Sequence, residues 1–579
     1  MKKTLLLVVA AVLSCMTAMA QWNSNNAENL LVWPNESFYS NDMALTPDGS
    51  VWLAVNHPNG GRVVTSLQLI DAEGNFKFEK PLMISDYPSR TWTSVSQIIF
   101  VDREGNAIVP IYDQRMSDKG FESYTVYKIS QEGEYLWGEE GITLEGEATY
   151  DLVAAMSICQ LDDDSYVFAW MHNHDGDYNK LSIEMQRITA DGEMCWNAED
   201  VRLYDEKVNY SYPYVVNGGN NQVIMLYAKG SAQDLYARKL DFDGTKVWSE
   251  DTRVYNGGWG SIPIWTLMDV HPSGDGGFIV SWNDDRYFTQ IESAYMAYVK
   301  SNGEIGFTVE NGQILGLAGF RSFNVSCMYD KVSDSFYAIW RENSAGQSWS
   351  RVMAQRLSKE GELMWGENGI ELKPFEQIHY GYLSVQNSIA DEVAFFYMCN
   401  YSGSFGDVEA FVTTVNVNDT TIRRESEFTK GERVSEKTGL QVTPMYNNEY
   451  WIAKWSDNGR VEDEVKTDRL LMQRVNADLT LGNPNDDGAV ESVRAGESNF
   501  MALATLVEGE AMFATNFATA TQASLAIYDI NGALVATPFD GVLAAGRQYI
   551  EWNANVPAGI YLATLTTANS VETVKLLVK

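Results

Sequence analysis

Five short polar segments carry residue types suited to ligand chemistry. They are Tyr112-Asp113-Gln114-Arg115, His172-Asn173-His174-Asp175-Gly176-Asp177, Trp282-Asn283-Asp284-Asp285-Arg286, Trp340-Arg341-Glu342 and Trp455-Ser456-Asp457-Asn458-Gly459-Arg460. An aromatic plate beside Asp and Arg can stack on a sugar ring and hydrogen-bond its hydroxyls. The candidate ligand-binding set is therefore Tyr112, Asp113, Arg115, Trp282, Asp284, Arg286, Trp340, Arg341, Trp455, Asp457 and Arg460. A plainer reading stands beside it. Each Asp can bond its own Arg and staple its own loop, and recurrence along the chain favours that scaffold role.

Catalytic signatures are sparse. The chain has 5 histidines and contains no Gly-x-Ser-x-Gly elbow, His-Glu-x-x-His zinc helix or phosphate-binding glycine loop. His172 and His174 at i and i+2, with Asp175 and Asp177, are a weak divalent-ion signal. Asp175-Gly176-Asp177 lacks the bidentate Glu of an EF-hand, so this is read as a solvated loop and no metal is expected. Paired carboxylates for glycoside hydrolysis must converge from distant segments, and among 78 acids spacing selects none. No cofactor is implied.

What positions the five segments is a repeat. Turns read Glu132-Gly133 to Trp137, Asp191-Gly192 to Trp196, Asp243-Gly244 to Trp248 and Glu360-Gly361 to Trp365, with weaker copies at Gly74 to Phe78 and Gly303 to Phe307. The turn glycines lie 52 to 59 residues apart. A fixed period with strand-like content means a β-propeller or another repeat array. Each unit divides into four strands, as in Phe323-Asn324-Val325-Ser326-Cys327-Met328, Ser335 to Trp340, Val352 to Leu357, and an outer strand near Trp365 to Leu372. Apolar and polar residues alternate with period two, as in half-buried strands. Eight units result, between 29 and 480, with seven as the alternative count. The eighth ends after its third strand, and Asn29 to Trp33 supplies the missing outer strand to close the ring. The expected fold class is all-β: a β-propeller followed by a small C-terminal β-sandwich. The candidate polar segments, which follow second strands, then gather on one rim.

Several features give an address. Residues 1–20 have Lys2 and Lys3, an apolar Leu5 to Leu13, and Ala18-Met19-Ala20 before Gln21, the pattern of a signal peptide. That apolar run is too short to span a membrane, and no transmembrane segment is expected. With 42 basic and 78 acidic residues the net charge is −36, which disfavours nucleic acid and anionic lipid. Cys159, Cys195, Cys327 and Cys399 remain after residue 20, and Cys159 with Cys195 is the one disulfide the repeat suggests. A linker at 481–497, Gly/Asn/Asp-rich at its start, leads to a second all-β unit at 498–579 with an Asn531-Gly532 hairpin.

That last segment carries Ile527-Tyr528-Asp529-Ile530-Asn531-Gly532, Pro557-Ala558-Gly559-Ile560-Tyr561 and the closing Lys575-Leu576-Leu577-Val578-Lys579. It resembles the type A C-terminal sorting domain of type IX secretion cargo, with Tyr528, Asp529, Asn531, Gly532, Gly559, Tyr561 and Lys575 as the matching motif. The start departs from the family, since Glu497-Ser498-Asn499-Phe500 stands where a Tyr-Pro-Asn-Pro-like stretch is common. The resemblance implies a small β-sandwich read by an outer-membrane export machine, cleavage after export, and an extracellular or surface-attached product. The turns resemble the Asp-box of sialidases and the tryptophan-docking repeat of quinoprotein propellers only as turns. The repeats themselves are similar to units found in many exported proteins with this sorting domain. The functional expectation is a non-catalytic, surface-displayed protein binding a glycan or protein. A propeller-type glycoside hydrolase or lyase and a structural envelope component are the alternatives.

Overall fold

The computed structural model describes residues 22–484 and 500–579, apart from 34–37, 88–97, 117–122, 145–152, 174–179, 232, 258–267, 289–290, 345, 402–407, 430–434, 461–465, 503–505, 508, 518, 531, 544–545 and 569. Residues 1–20 and most of the linker lie outside the described residues, as do His174, Asp175, Gly176, Asp177 and Asn531. The chain divides into two compact units, 1–486 and 487–579. Among the described residues, the helical content is one short turn, Ala198–Val201.

The first unit is a series of antiparallel sheets, the first seven with their strands in chain order. Sheets 1 to 7 cover 40–85, 100–143, 153–188, 210–255, 269–314, 321–376 and 379–427. All have four strands except sheet 3, which has three. There Leu203 takes the edge position by exchanging two backbone bonds with Ile183 at 3.0 and 2.9 Å. Sheet 8 holds Ser435–Val442, Tyr450–Arg460 and Lys466–Asn476, and its outer strand is Leu30–Trp33 from the other end of the unit. Leu30 pairs Met472 and Leu31 pairs Leu471.

Apolar cores lie between successive sheets rather than at one centre. One holds Trp52 and Ile111 from sheets 1 and 2, the next Tyr124 and Trp170 from sheets 2 and 3, and the series continues to sheets 7 and 8. A final core joins Ile452 and Met472 of sheet 8 to Val51 and Val55 of sheet 1. The series closes on itself, which is the topology of a β-propeller. This placement also alters the reading of the strands. Second strands such as Ser335–Asn343 and Tyr166–Asn173 are buried at every position, not at alternate ones. Each is covered on both faces, so Ala338 and Trp340 pack toward sheet 5 while Tyr337 and Ile339 pack toward sheet 7.

The repeated turn is a latch between neighbours. Trp137 Nε1 donates to Ala190 O at 3.0 Å, Trp196 Nε1 to Phe242 O at 2.9 Å, and Trp365 Nε1 to Val417 O at 3.1 Å. Each acceptor lies in the turn of the next sheet. A third-strand Gln holds the same Trp: Gln186 Oε1 accepts from Trp196 N at 2.9 Å and Gln355 Oε1 from Trp365 N at 3.0 Å. Gly192 has φ 95° and Gly303 has φ 89°, where a side chain is strained. A Cβ at either would also sit 2.9 Å from the preceding Trp, Trp137 or Trp248. Sheet 8 has no Trp turn of its own. Trp22 replaces it, donating to Ala72 O at 2.9 Å, while Gln473 Nε2 bonds Asn23 O at 3.1 Å.

The second unit has a three-stranded sheet and a five-stranded sheet sharing one core around Phe513, Leu525, Ile550, Trp552 and Leu576. Asp529 Oδ1 accepts from Ala533 N at 2.8 Å and closes the turn in which Gly532 has φ 81°. Tyr528 is half-buried in Thr521–Asp529. Tyr561 is buried and donates to Pro557 O at 2.8 Å, two residues before Gly559. Lys575 is exposed on the last strand, Val571–Val578, which pairs in parallel with Leu506–Val507.

Candidate functional site in the propeller lumen

The rim expectation needs correction. Trp282, Trp340 and Trp455 are fully buried, so no ring face is open for stacking. Tyr112 is buried against Tyr124 at 5.5 Å between ring centroids. The acids and arginines form closed clamps. Arg286 Nε donates to Asp284 Oδ1 at 2.8 Å and Nη2 to Oδ2 at 2.5 Å, while Trp282 Nε1 reaches Oδ2 at 2.8 Å. The guanidinium also lies 3.8 Å over the Tyr295 ring. Sheet 2 repeats the device: Arg115 Nη2 donates to Asp113 Oδ2 at 2.7 Å and to Tyr127 Oη at 2.6 Å, 4.1 Å over the Tyr87 ring. In sheet 6 the parts are redistributed, with Trp340 Nε1 on Glu342 at 2.9 Å and Arg351 as its cation at 2.6 Å. Asp457 pairs Arg469 at 3.3 Å. The side chain of Arg460 lies outside the described residues. The physical reason is that a second strand between two neighbours has no solvent face, which favours bonding among its own polar groups, although in sheet 8 Trp455 Nε1 and Asp457 Oδ1 find no partner among the described residues.

Open space lies elsewhere, along the first strands. A cavity of about 1060 Å³ is lined by first strands of sheets 5 to 8, including Asp269, His271, Phe323, Tyr382 and Gln441. A second, of about 790 Å³, is lined from sheets 1 to 5 and 8. These strands share a defect. Ladder register shifts between Ala154/Ser157, Ser211/Tyr214, Phe323/Ser326, Gly381/Ser384 and Thr438/Gln441. Within each shift one residue is left-handed: Ala155 (φ 53°), Tyr212 (φ 51°), Asn324 (φ 55°), Tyr382 (φ 51°) and Gly439 (φ 66°). For Tyr this conformation is costly, and bulges of this kind re-aim side chains beside binding sites. Asn324 and Gly439 are residue types that tolerate positive φ, but Ala155, Tyr212 and Tyr382 give no such warning in the sequence.

Polar side chains on the first strands also tie neighbours together. Asp42 accepts from Ile99 N at 3.0 Å, Ser157 from Val215 N at 3.0 Å, Asp269 from Cys327 N at 2.8 Å and Gln441 from Met43 N at 3.3 Å. Asp269, His271 and Cys327 place their ligand atoms within 4.8 Å of one another, a constellation that suggests a metal or a nucleophile. The bonding argues for a strut. One Asp269 oxygen takes Cys327 N–H and the other takes His271 Nε2 at 2.8 Å. Burial works against the Asp269 charge, but His271 and the backbone donor hold its pKa below the usual carboxylate range. Burial and the Asp269 charge push the Cys327 thiol well above its usual value, the opposite of an activated thiolate. Cys159, Cys327 and Cys399 are free and buried and Cys195 is free and exposed, so the Cys159–Cys195 disulfide is not formed.

Arg341 is the expected rim residue with a different fate. It points to the sheet 7 side, opposite Trp340 and Glu342, and lines a cavity of about 290 Å³ with Asn324, His379, Tyr382, Lys437 and Thr438. Asn324, Arg341 and Tyr382 belong also to the larger lumen cavity. Arg341 Nη1 donates to Tyr380 O at 2.5 Å and to His379 Nε2 at 2.7 Å, and its face lies 4.9 Å from the Phe323 ring centroid. Its Nε–H is buried and without a partner. Loss of water contact lowers the Arg341 pKa to about 10. His379 is exposed as a residue, but partial desolvation of its ring and then the guanidinium lower its pKa to about 4, so it accepts from Arg341 as a neutral ring.

The fold has known counterparts, at low similarity. The WD40 domain of SCAP from fission yeast matches 77% of this chain and 96% of its own, with 8% identity and TM-score 0.42. The Dos1 propeller matches 76% and 94%, with 11% identity and TM-score 0.41. The polysaccharide lyase Uly1 matches 68% and 92%, with 11% identity and TM-score 0.38. At this level the likeness carries no argument about activity. No protein-family model and no curated protein matches the chain.

Proposed function

We propose that this chain is an exported, eight-bladed propeller that binds a glycan in its lumen without transforming it, followed by a C-terminal sandwich that directs type IX secretion. The observation that carries the binding reading is the lumen cavity of about 1060 Å³, whose strained first strands set Tyr382 and Asn324 on its wall. An aromatic edge, amides and backbone groups around a concave space suit a polyhydroxylated ligand. The non-catalytic reading rests on how Asp269 and His271 are used: both are bonded into the strut between sheets 5 and 6. Eight blades are supported by the closing core between sheets 8 and 1. The export reading rests on residues 1–20 and on Tyr528, Asp529, Gly532, Gly559, Tyr561 and Lys575.

The test is a glycan-array screen of the full chain beside its Tyr382→Ala variant, with reducing-end assays on every glycan retained. Binding without product, weakened in the variant, supports the reading; product formation transfers the protein to the carbohydrate-active enzymes. Removing residues 498–579 in a host with type IX secretion is expected to leave the protein in the periplasm. Unchanged surface display would refute the sorting role.

A further inference from the structure

In a chain with 78 acids and 42 bases, a cavity walled by cations is unexpected. Among the described residues, the 290 Å³ cavity has Arg341, Lys437 and the neutral ring of His379 on its wall and no Asp or Glu. Lys437 is buried and its Nζ donates to Val408 O at 2.8 Å. Arg341 is 7% exposed and, among the described residues, has no carboxylate within ion-pair distance. Arg115 pairs Asp113 at 2.7 Å and Arg286 pairs Asp284 at 2.5 Å, whereas buried Arg474 also lacks an acid at ion-pair distance and bonds Asn476 and Ala72 O instead, with no cavity lined by it among those described.

A buried guanidinium without a counter-charge is costly unless something supplies the charge. Two acceptors engage Nη1 only, on one side of the plane's perimeter. The Nε–H remains buried and unbonded. That nitrogen is closed to a water-sized atom, whereas the terminal nitrogen Nη2 makes no hydrogen bond among the described residues and is not closed off in this way, so Nη2 is the donor an oxyanion can meet. Because Asn324 and Tyr382 border both cavities, a ligand seated in the lumen can extend one substituent to Nη2.

We propose that Arg341 is a specificity-determining anchor for an oxyanion, a uronate carboxylate or a sulfate ester, carried by the glycan in the lumen. This inference rests on the lumen-binding reading above and adds the ligand's charge. Neutral His379 fixes the guanidinium by accepting from Nη1.

The test uses the full chain with trigalacturonate and its methyl ester, and with galactobiose and its sulfate ester. Acetate and sulfate are titrated separately while the His379 ring is followed by NMR. At least about tenfold tighter binding of one charged probe than of its neutral partner is expected, since a bond to a charged group is worth that factor. The pair showing the preference identifies carboxylate or sulfate. Arg341→Gln is expected to erase the preference and the anion-induced His379 shift. Arg341→Lys keeps charge without the planar group that His379 and Tyr380 hold in place and should recover only part. Equal binding of charged and neutral probes, or an unchanged preference in Arg341→Gln, overturns the proposal and leaves the lumen reading standing. Anion-induced shifts without any glycan binding overturn the lumen reading and leave the anion pocket. If no probe or anion binds, both fall.

Discussion

Arg286 and Arg341 stand near the ends of second strands in adjacent sheets, and their surroundings differ in kind. Arg286 is gripped by Asp284 through both carboxylate oxygens and covered by Tyr295, with Trp282 completing the set. Its Nε and Nη2 are both bonded inside one sheet. Arg341 sits one position after its Trp instead of four, so the pleat turns it to the other face. There it meets the first strand of sheet 7 and a cavity rather than an acid. The same residue type therefore serves as a scaffold clamp where its partner is on its own strand, and as an open cation where the partner is missing.

That contrast makes unequal demands on mutation. Asp284→Ala leaves Arg286 buried and unpaired and frees Trp282 Nε1. A loss of about 3–5 kcal/mol in denaturant unfolding is expected. Trp22→Ala removes the latch that joins sheet 8 to sheet 1, and a loss of about 3–5 kcal/mol is again expected at this closure, alongside greater protease sensitivity. If Trp22→Ala is neutral, the ring does not depend on its N-terminal strand. Arg341→Met deletes an uncompensated charge, and stability within about 1 kcal/mol of the parent is expected. A loss as large as that of Asp284→Ala would mean Arg341 is a clamp like the others.

The clamps and the open cation also differ in pH response. Asp251 in sheet 4 is paired with Arg238 at 2.8 Å, and although burial opposes its charge, its partners lower its pKa to about 2. A depressed carboxylate stabilises the fold above the unfolded value near 4, and that contribution is lost as pH falls toward 2. Asp251→Asn is expected to flatten the acid limb of a stability curve between those values. The smallest effect is spectroscopic. Partial desolvation of the ring and then Arg341 lower the His379 pKa to about 4, and Arg341→Met should move its midpoint upward, toward 6.5, in an NMR titration.

The turns were legible because their chemistry is local. Gly133, Gly192, Gly244, Gly303 and Gly361 all adopt the positive φ that a tight turn ahead of an aromatic requires. Strand content and the outer-strand role of Leu30–Trp33 followed from pattern and the missing fourth strand. Burial of the second strands was not legible. Period-two alternation separates two faces, but it cannot say that both are covered, so Asp113, Asp284 and Trp282 read as a rim when they are interior. The bulges at Tyr212 and Tyr382 left no mark either, because left-handed backbone at Tyr is imposed by sheet packing and not by the residue. Arg341 was visible as a candidate, though its lone position depends on which way a pleat faces.

The shared sheet at the seam has a consequence for handling the protein. Leu30–Trp33 finds its partner more than 430 residues later, at Leu470 to Met472, so the loop cannot be sealed before the last sheet has been made. A nick or trimming event that takes residues 22–33 would leave Lys466–Asn476 with a bare hydrogen-bonding border. Such a molecule would recruit another chain's strand in place of its own, and preparations with ragged amino termini are expected to run as dimers and larger species on a sizing column.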